Sequence, residues 1–230
     1  MYFQHDPAIW RDFPALVPGV LYADGITAQP EADTGHLDAM AKTRLADRPE
    51  SELPEIQAWR RAFAAMGLKP TQYRCASESL LRRFRKEGSL PRLHPLVDLC
   101  NAVSLAFAIP VAALDADRIA WPLEVRYAAG DEEYLTFGGD TEHPAPGEVI
   151  FADQLGRAHA RRWPNRQSGR SAVSAGTSRV LIVAEALHDQ APRDVRALTG
   201  TLAAELGAHW GPVSAPAILT AEAPRFTLPA

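Results

Sequence analysis

Apolar positions in the first half of the chain recur every three or four residues, which is the spacing of one helix face. One such run contains Ile56, Trp59, Phe63 and Met66, and Gly67 follows it as a typical helix-ending residue. Serine, threonine and proline at helix starts, with glycine or proline beyond the ends, set the other limits. The pattern predicts helices over residues 34–47, 52–66, 77–88 and 95–107.

The pattern changes after residue 115, where short apolar segments alternate with turns rich in glycine, proline and aspartate. These segments predict strands at residues 123–127, 133–137, 148–151, 157–163 and 179–184. The last of these, in RVLIVAEA, is nearly continuously apolar and is expected to be central. An opening strand within residues 13–22, a helix over residues 193–206 and an edge strand near Phe226 complete the pattern. Helices that precede a run of strands are typical of an α+β fold.

The helix predicted over residues 95–107 is apolar around most of its surface, which predicts that it is buried. His94, Asp98 and Asn101 fall within a sector of about 60° at ~100° per residue, and Ser104 lies a turn further on. An unpaired polar group on a buried helix costs about 1–3 kcal/mol. These side chains therefore make buried hydrogen bonds to neighbouring backbone or line a ligand pocket, and the two interpretations are compatible.

Basic residues are concentrated in two segments, although the net charge is −4. Residues 60–92 contain nine lysines and arginines against two acidic residues, and residues 154–183 contain six arginines. Segregated positive charge can attract a polyanion despite a negative total, so we expect contact with RNA. A solvated helix face is the alternative interpretation. The candidate RNA contacts are Arg74, Arg82, Arg83, Lys86 and Arg162.

Residues 161–171 place four arginines and a tryptophan in a turn between two predicted strands. Trp163 offers a face for stacking, and arginine forks suit phosphate or carboxylate. Asn165, Arg166 and Gln167 add hydrogen-bonding groups, so the segment predicts a binding site on a sheet scaffold. An exposed loop anchored by one tryptophan is the alternative.

Several common kinds of chemistry lack their sequence signals. GxGxxG, GxxxxGK[ST], HExxH and GxSxG are absent, and the seven histidines are scattered without ligand spacing. Cys75 and Cys100 are too few for a disulfide framework, so we expect reduced thiols, no metal and no cofactor. Without a run of about 18 apolar residues or a signal-peptide pattern, the expectation is a soluble cytoplasmic protein without membrane contact.

An arginine-rich helix is followed by four short segments whose order and spacing are informative. They are VDLCNAVSL at 97–105, IPVAALD at 109–115, PGEVIFAD at 146–153 and SAVSAGT at 171–177. An acidic-glycine turn at residues 130–132 lies between the second and the third. Together they resemble the B3/B4 domain of the phenylalanyl-tRNA synthetase β subunit over about residues 56–185. The first two resemble its V-D-x-x-N and x-P-x-x-x-x-D segments, and the last its S-x-V-x-x-x-T segment.

This resemblance implies a layered, β-sandwich-like core of mixed sheets flanked by helices, as one domain over residues 1–230. In the synthetase this domain is the editing site, which hydrolyses tyrosine wrongly esterified to the phenylalanine tRNA. Two positions differ from the family. Ala112 stands where a histidine is usual, and residues 167–170 replace a G-G-E segment whose glutamate helps select the tyrosine hydroxyl. A different aminoacyl ester is therefore an open alternative to tyrosyl.

The leading hypothesis is a trans-acting editing deacylase, in which water attacks the ester between an amino acid and the 3′ end of tRNA. Glu78 and His94 are the acid–base candidates. The substrate-binding candidates are Asp98, Asn101, Ser104, Trp163, Asn165, Arg166 and Gln167. Two other classes remain open, a non-catalytic module that binds RNA or aminoacyl-tRNA and a hydrolase of small amino-acid derivatives.

Overall fold

The computed structural model of the protein describes residues 1–29, 33–211 and 213–229. Its helices are α1 (Pro7–Asp12), α2 (Gly35–Asp47), α3 (Pro54–Ala65), α4 (Ala76–Glu87), α5 (Pro95–Phe107) and α6 (Ala191–His209). Its strands are β1 (Tyr2–His5), β2 (Val17–Ala23), β3 (Val111–Asp115), β4 (Leu123–Tyr127), β5 (Glu133–Leu135), β6 (Thr141–Glu142), β7 (Val149–Asp153), β8 (Arg157–Arg161), β9 (Arg166–Gln167), β10 (Val180–Ala186), β11 (Ala217–Ile218) and β12 (Arg225–Thr227). The expected α+β class is confirmed. None of the described helices is both long and apolar enough to cross a membrane.

The ends of α5 and α4 follow from identifiable local interactions. The predicted limits of α5 are confirmed: His94 caps its start, and the chain leaves the helix at Ala108 in left-handed backbone at φ 56°. Gly88 ends α4 in the same conformation at φ 79°, which glycine adopts without steric cost. The start of α4 differs from the prediction by one residue, because its N-cap is Cys75 and Ser77 lies in the first turn.

The remaining elements show where local pattern is sufficient and where it is not. RVLIVAEA forms β10, which lies inside its sheet, and Phe226 lies on an edge strand, so both predictions are confirmed. The C-terminal helix is longer at both ends than predicted. Three elements were not predicted, namely β1, α1 and β3. Strand β1 has four residues and pairs with the distant β4 and β12, so its stability comes from non-local partners that periodicity does not reveal.

Two sheets form the scaffold. Sheet A has the order β12-β1-β4-β7-β8-β5-β6, with β9 added beside β8, and it is mixed because the β1–β4 and β5–β8 pairs are parallel. Sheet B has the order β11-β2-β10-β3 and is antiparallel throughout. Strand β3 is therefore an edge strand of sheet B.

The two faces of sheet B belong to different hydrophobic cores because successive side chains of a strand point to opposite faces. Leu181 and Val183 pack into the core shared with sheet A, which also contains Phe151. Ile182 and Ala184 pack with α5 and α6 on the other face. The order sheet A, sheet B, helices is the layered, sandwich-like architecture that the sequence implied.

A buried carboxylate joins these layers. Glu185, on β10, accepts hydrogen bonds at Oε1 from His5 Nε2 at 2.7 Å and from Trp163 Nε1 at 2.9 Å. The carbonyl oxygen of Glu185 accepts a third, from Trp59 Nε1 at 3.3 Å. The Trp163 ring packs edge-on against Trp59 and Phe13, with centroids 5.0 and 4.9 Å away. One residue thus connects β1 of sheet A, β10 of sheet B, α3 and the turn after β8.

Replacing this carboxylate should destabilise the fold strongly. Glu185→Ala leaves the His5 and Trp163 donors buried without an acceptor, and we expect a loss of about 3 kcal/mol in the free energy of unfolding. Glu185→Gln keeps an acceptor oxygen and should lose less. Urea denaturation followed by circular dichroism measures both, with the exposed Glu222→Ala as the control. Equal stability of Glu185→Ala and Glu222→Ala would contradict this role.

Candidate functional site

A cleft opens beside β3. One wall is α5, and the other is the segment 162–173 that follows β8. Gln167 Nε2 donates to the carbonyl oxygen of Ala113 at 2.8 Å and so ties β9 to the edge of β3. Val111 and Gln167 line both of the two compartments into which the cleft divides.

The larger compartment has a volume of about 270 Å³ and is mostly apolar. From α5 it receives His94, Val97 and Asn101, which share a helix face at spacings of three and four. The other lining residues are Leu93, Cys100, Val111, Ala113, Phe137, Gln167, Ala172 and Val173. Leu93 and Phe137 are exposed. No aspartate, glutamate, lysine or arginine is among the described residues that line it.

His94 brings a buried hydrogen-bond donor to this compartment. Its Nδ1 accepts the N–H of Leu96 at 3.2 Å, so the neutral ring carries its hydrogen on Nε2. That Nε2 is buried and has no hydrogen-bond partner among the described residues. Burial lowers the pKa of His94, against the opposing effect of the nearby Asp98 carboxylate, and so favours the neutral ring. The geometry therefore makes His94 a donor rather than a base.

The other polar residues predicted on this helix separate. Asn101 lines the compartment, and its amide forms no hydrogen bond with the described part of the chain. Asp98 accepts the N–H of Leu93 at 3.0 Å and borders a different, neighbouring cavity with Asn101. Ser104 is buried and donates to the carbonyl oxygen of Ile109 at 2.7 Å, where it closes the helix end. The structure brings His94 and Asn101 to the cleft, but not Asp98 or Ser104.

The smaller compartment, of about 60 Å³, lies between β3, β10 and the turn after β8. Ala112 and Glu185 line it, together with Trp163, Asn165, Arg166 and Gln167. Trp163 is fully buried, so its indole packs in the core and is not accessible for stacking on a base. Asn165 Nδ2 donates to the carbonyl oxygen of Arg74 at 2.7 Å, and Arg166 pairs with Glu142 at 3.0 Å.

Glu185 is a lining residue that the sequence reasoning missed. A lone carboxylate inside the apolar run RVLIVAEA is itself a signal, since a buried charge requires partners. Its Oε1 is held by His5 and Trp163, whereas its Oε2 accepts no hydrogen bond from the described residues.

The acid–base candidate Glu78 lies outside this cleft. It is 1% exposed, and its two carboxylate oxygens accept hydrogen bonds from Arg60 at 2.5 and 3.2 Å. Arg74 approaches the same carboxylate at 3.5 Å. Glu78 therefore holds α4 against α3 in a buried ion pair, and the structure does not place it where it could act on a ligand of the cleft.

The predicted RNA contacts divide by exposure. Arg82 and Lys86 are exposed on α4, and Arg83 pairs with Glu87 along the same helix at 2.8 Å. Arg162 lies over the Tyr73 ring, 4.8 Å from its centroid. Arg74 is half-buried beside Glu78. The exposed basic face of α4 is thus intact, while Arg74 and Arg162 are partly used within the fold.

A serine–histidine–aspartate group also forms, but it is sealed in the interior. His159 Nδ1 lies 2.8 Å from Ser171 Oγ, and its Nε2 lies 3.2 Å from Asp153 Oδ2. Ser171 and His159 are 0% exposed, so no substrate reaches the hydroxyl. Against the effect of its own burial, hydrogen bonds from His159 and backbone amides hold the pKa of Asp153 below its usual range. This group is structural.

The two thiols are equally unsuited to nucleophilic chemistry. Burial raises the pKa of Cys75 to about 12, and burial does the same for Cys100. The thiolate is the reactive form, and it is almost absent at neutral pH when the pKa is this high.

Comparisons with known proteins identify related sequences. The family model of the B3/4 domain matches residues 58–199. The phenylalanine–tRNA ligase β subunit of Haemophilus influenzae (strain 86-028NP) is 24% identical over 140 residues, which is 61% of this chain and 17% of that protein. That of Pasteurella multocida (strain Pm70) is 24% identical over 169 residues, 73% of this chain and 21% of that protein. The chain thus spans a small part of the length of these relatives.

A solved structure is also similar. An N-terminal fragment of the phenylalanyl-tRNA synthetase β-subunit from Pyrococcus horikoshii matches 92% of this chain and 49% of the fragment. The TM-score is 0.48 and the sequence identity 10%.

The neutral state of His94 should appear in the pH dependence of stability. Because the folded-state pKa lies below the value of about 6.5 in the unfolded chain, stability is complete above pH 6.5. It should fall as the pH drops from there through the folded-state pKa. Asparagine is a good N-cap, so His94→Asn keeps the cap of α5 and removes the titration.

Urea denaturation at pH 7.5, 6.5 and 5.5 tests this expectation. The loss of unfolding free energy between the first and last pH should be smaller in His94→Asn than in the unsubstituted chain. His36→Asn, at an exposed side chain, is the control. Identical pH dependence in His94→Asn and the unsubstituted chain would contradict a buried neutral ring.

Proposed function

The chain belongs to the B3/4 domain family, and we propose that it is a trans-acting editing deacylase that hydrolyses the ester of a mischarged aminoacyl-tRNA. One domain of this type extends over residues 1–230. Its relatives are named as subunits of a tRNA ligase, which supports tRNA as the partner. A protein that acts on charged tRNA works in the cytoplasm.

The main support is the convergence of two polar groups on an otherwise apolar cavity. His94 Nε2 and the Asn101 amide border the compartment of about 270 Å³, and neither is hydrogen-bonded to the residues described. Apolar walls with a few unsatisfied polar groups are typical of small-ligand sites. The walls accommodate an amino-acid side chain, and the polar groups bind the ester.

The hydrolysis proceeds by attack of water on the ester carbonyl carbon. Negative charge then develops on the carbonyl oxygen, where donated hydrogen bonds stabilise the transition state. The Nε2–H of His94 and the amide of Asn101 supply these donors. His94 also lies at the N-terminus of α5, where the helix dipole favours negative charge.

A protein base is not required by this proposal. Ala112 cannot take a proton at the position where related domains usually have a histidine. The neighbouring hydroxyl of the terminal ribose of the tRNA can position the attacking water instead. Glu185 Oε2, in the adjoining compartment, is the nearest candidate carboxylate of the chain for orienting a substrate group.

The lining of the larger compartment narrows the amino acid. Because the described lining contains no charged residue, a charged side chain would lose its hydration without a partner. The favoured substrate therefore carries an uncharged, largely apolar side chain. Residues 167–170 contain no glutamate, so a hydroxyl group would not be selected in the way that the family resemblance implies.

The exposed face of α4 supports binding of the tRNA backbone. Arg82 and Lys86 are exposed, and Ala76, in the first turn of the same helix, lines the smaller compartment. A nucleic acid whose 3′ end enters the cleft can therefore extend along this helix. Each phosphate neutralised by a lysine or arginine releases counterions and makes binding salt-dependent.

Asn101→Ala tests the hydrolytic role. With a panel of correctly and wrongly charged tRNAs, the unsubstituted protein should release the amino acid from a mischarged species selectively. The substitution should reduce kcat/KM at least about tenfold, because it removes a donor to the transition state. Gln154→Ala, at an exposed position between β7 and β8, is the control and should retain full activity.

Other outcomes of this assay identify the alternatives. Salt-sensitive tRNA binding without release from any species would indicate a non-catalytic binding module. Turnover of free amino-acid esters at the same rate as charged tRNA would indicate a small-molecule hydrolase. Either result would overturn the proposed editing function.

Charge reversal on α4 tests the tRNA surface separately. The Arg82→Glu and Lys86→Glu double variant should weaken tRNA binding and reduce the slope of log K against log[salt] by about 0.7–0.9 for each phosphate that the protein no longer neutralises. Filter binding over a range of NaCl concentrations measures both quantities. Arg196→Glu, exposed on α6, is the matched control, and an equal effect there would contradict a specific role for α4.

A further inference from the structure

Three side chains from separate elements meet outside the cleft. Glu55 lies in the first turn of α3, His188 follows β10, and Asp194 lies in the first turn of α6. They border a cavity of about 340 Å³. One nitrogen of His188 and one carboxylate oxygen from each of Glu55 and Asp194 all lie within 4.8 Å of one another. The residues are far apart in the sequence, so ligand spacing does not reveal them.

Two arginines fix the orientation of these carboxylates. Arg44 Nη1 donates to Glu55 Oε1 at 2.8 Å, and Arg193 Nε donates to Asp194 Oδ1 at 2.9 Å. Asp194 Oδ2 lies 3.0 Å from His188 Nε2. Each arginine thus engages one oxygen and leaves the other for a different partner. Metal-binding carboxylates are commonly held in this way by neighbouring donors.

Two buried atoms of the group lack a partner. Glu55 is 6% and His188 is 5% exposed, and no described residue forms a hydrogen bond with Glu55 Oε2 or His188 Nδ1. When His188 Nε2–H donates to Asp194, Nδ1 of the neutral ring is an acceptor. Both unpartnered atoms are then electron-pair donors, so they require a cation or a hydrogen-bond donor.

We propose that Glu55, His188 and Asp194 bind one divalent transition-metal ion of the Zn²⁺ type. A ligand set of one imidazole and two carboxylates suits Zn²⁺, Co²⁺ or Mn²⁺ rather than a soft metal that prefers thiolates. Water completes the coordination from the cavity. The positive charges of Arg44 and Arg193 oppose the ion, so the affinity is micromolar rather than that of a zinc finger.

Such an ion has a structural role. It connects the N-termini of α3 and α6 with the end of β10, which are held together otherwise by packing and the arginine pairs. A ligand that binds only the folded state stabilises it. The ion should therefore raise the midpoint of thermal unfolding, independently of any activity in the cleft.

Zinc binding to the chelator-treated full-length chain tests the proposal. After removal of EDTA, titration calorimetry with ZnCl₂ should give one equivalent per chain, and the thermal midpoint should rise with ZnCl₂. Glu55→Gln and His188→Gln should each weaken binding at least about tenfold. Glu205→Gln is the control, because it removes the carboxylate beside the more exposed His36 and His209. Both cysteines are buried and do not compete.

A measurement on the unsubstituted chain covers the case in which a variant fails to fold. In NMR spectra of the histidine side chains, addition of Zn²⁺ should shift or broaden the His188 resonances before those of His36 and His209. Binding that is abolished by Glu205→Gln but unchanged in Glu55→Gln would overturn the proposal. So would the absence of saturable binding up to about 100-fold above a micromolar dissociation constant, which would assign the two unpartnered atoms to a bound water or a shared proton.

Discussion

The buried carboxylate of Glu185 is the interaction on which the arrangement of the two sheets depends. A charge in an apolar interior is tolerated only when donors surround it, and here His5 and Trp163 supply them. These donors come from β1 and from the turn after β8, whereas the carboxylate belongs to the central strand of the other sheet. Satisfying one charge therefore fixes the position of sheet A, sheet B and the turn relative to one another.

The cleft is a consequence of this arrangement. Trp163 is anchored in the core, so the chain that follows it must run past the edge of β3, where Gln167 reaches the carbonyl oxygen of Ala113. The edge strand thereby gains a hydrogen-bond partner from a side chain rather than from another strand. Small residues at positions 112, 113 and 172 leave space between this segment and α5, and that space is the cavity.

Backbone requirements decide which polar residues are available to a ligand. Asp98 accepts a backbone N–H before α5, and Ser104 donates to a carbonyl oxygen beyond its end. His94 satisfies a helix N–H with one nitrogen and keeps the other directed elsewhere, so it serves the fold and the cleft together. Asn101 lies in the middle of the helix, where backbone groups are already paired, and its amide is left for the cavity.

The sequence by itself determined the limits of α5, the central position of β10, the α+β class and the family resemblance, because periodicity, caps and short motifs are local signals. It also placed His94 and Asn101 on one helix face. Only the tertiary structure decided that Glu78 is consumed by Arg60, that Trp163 is buried and that Glu185 joins the sheets. The physical reason is that ion pairing and burial depend on partners distant in the chain, which no local pattern specifies.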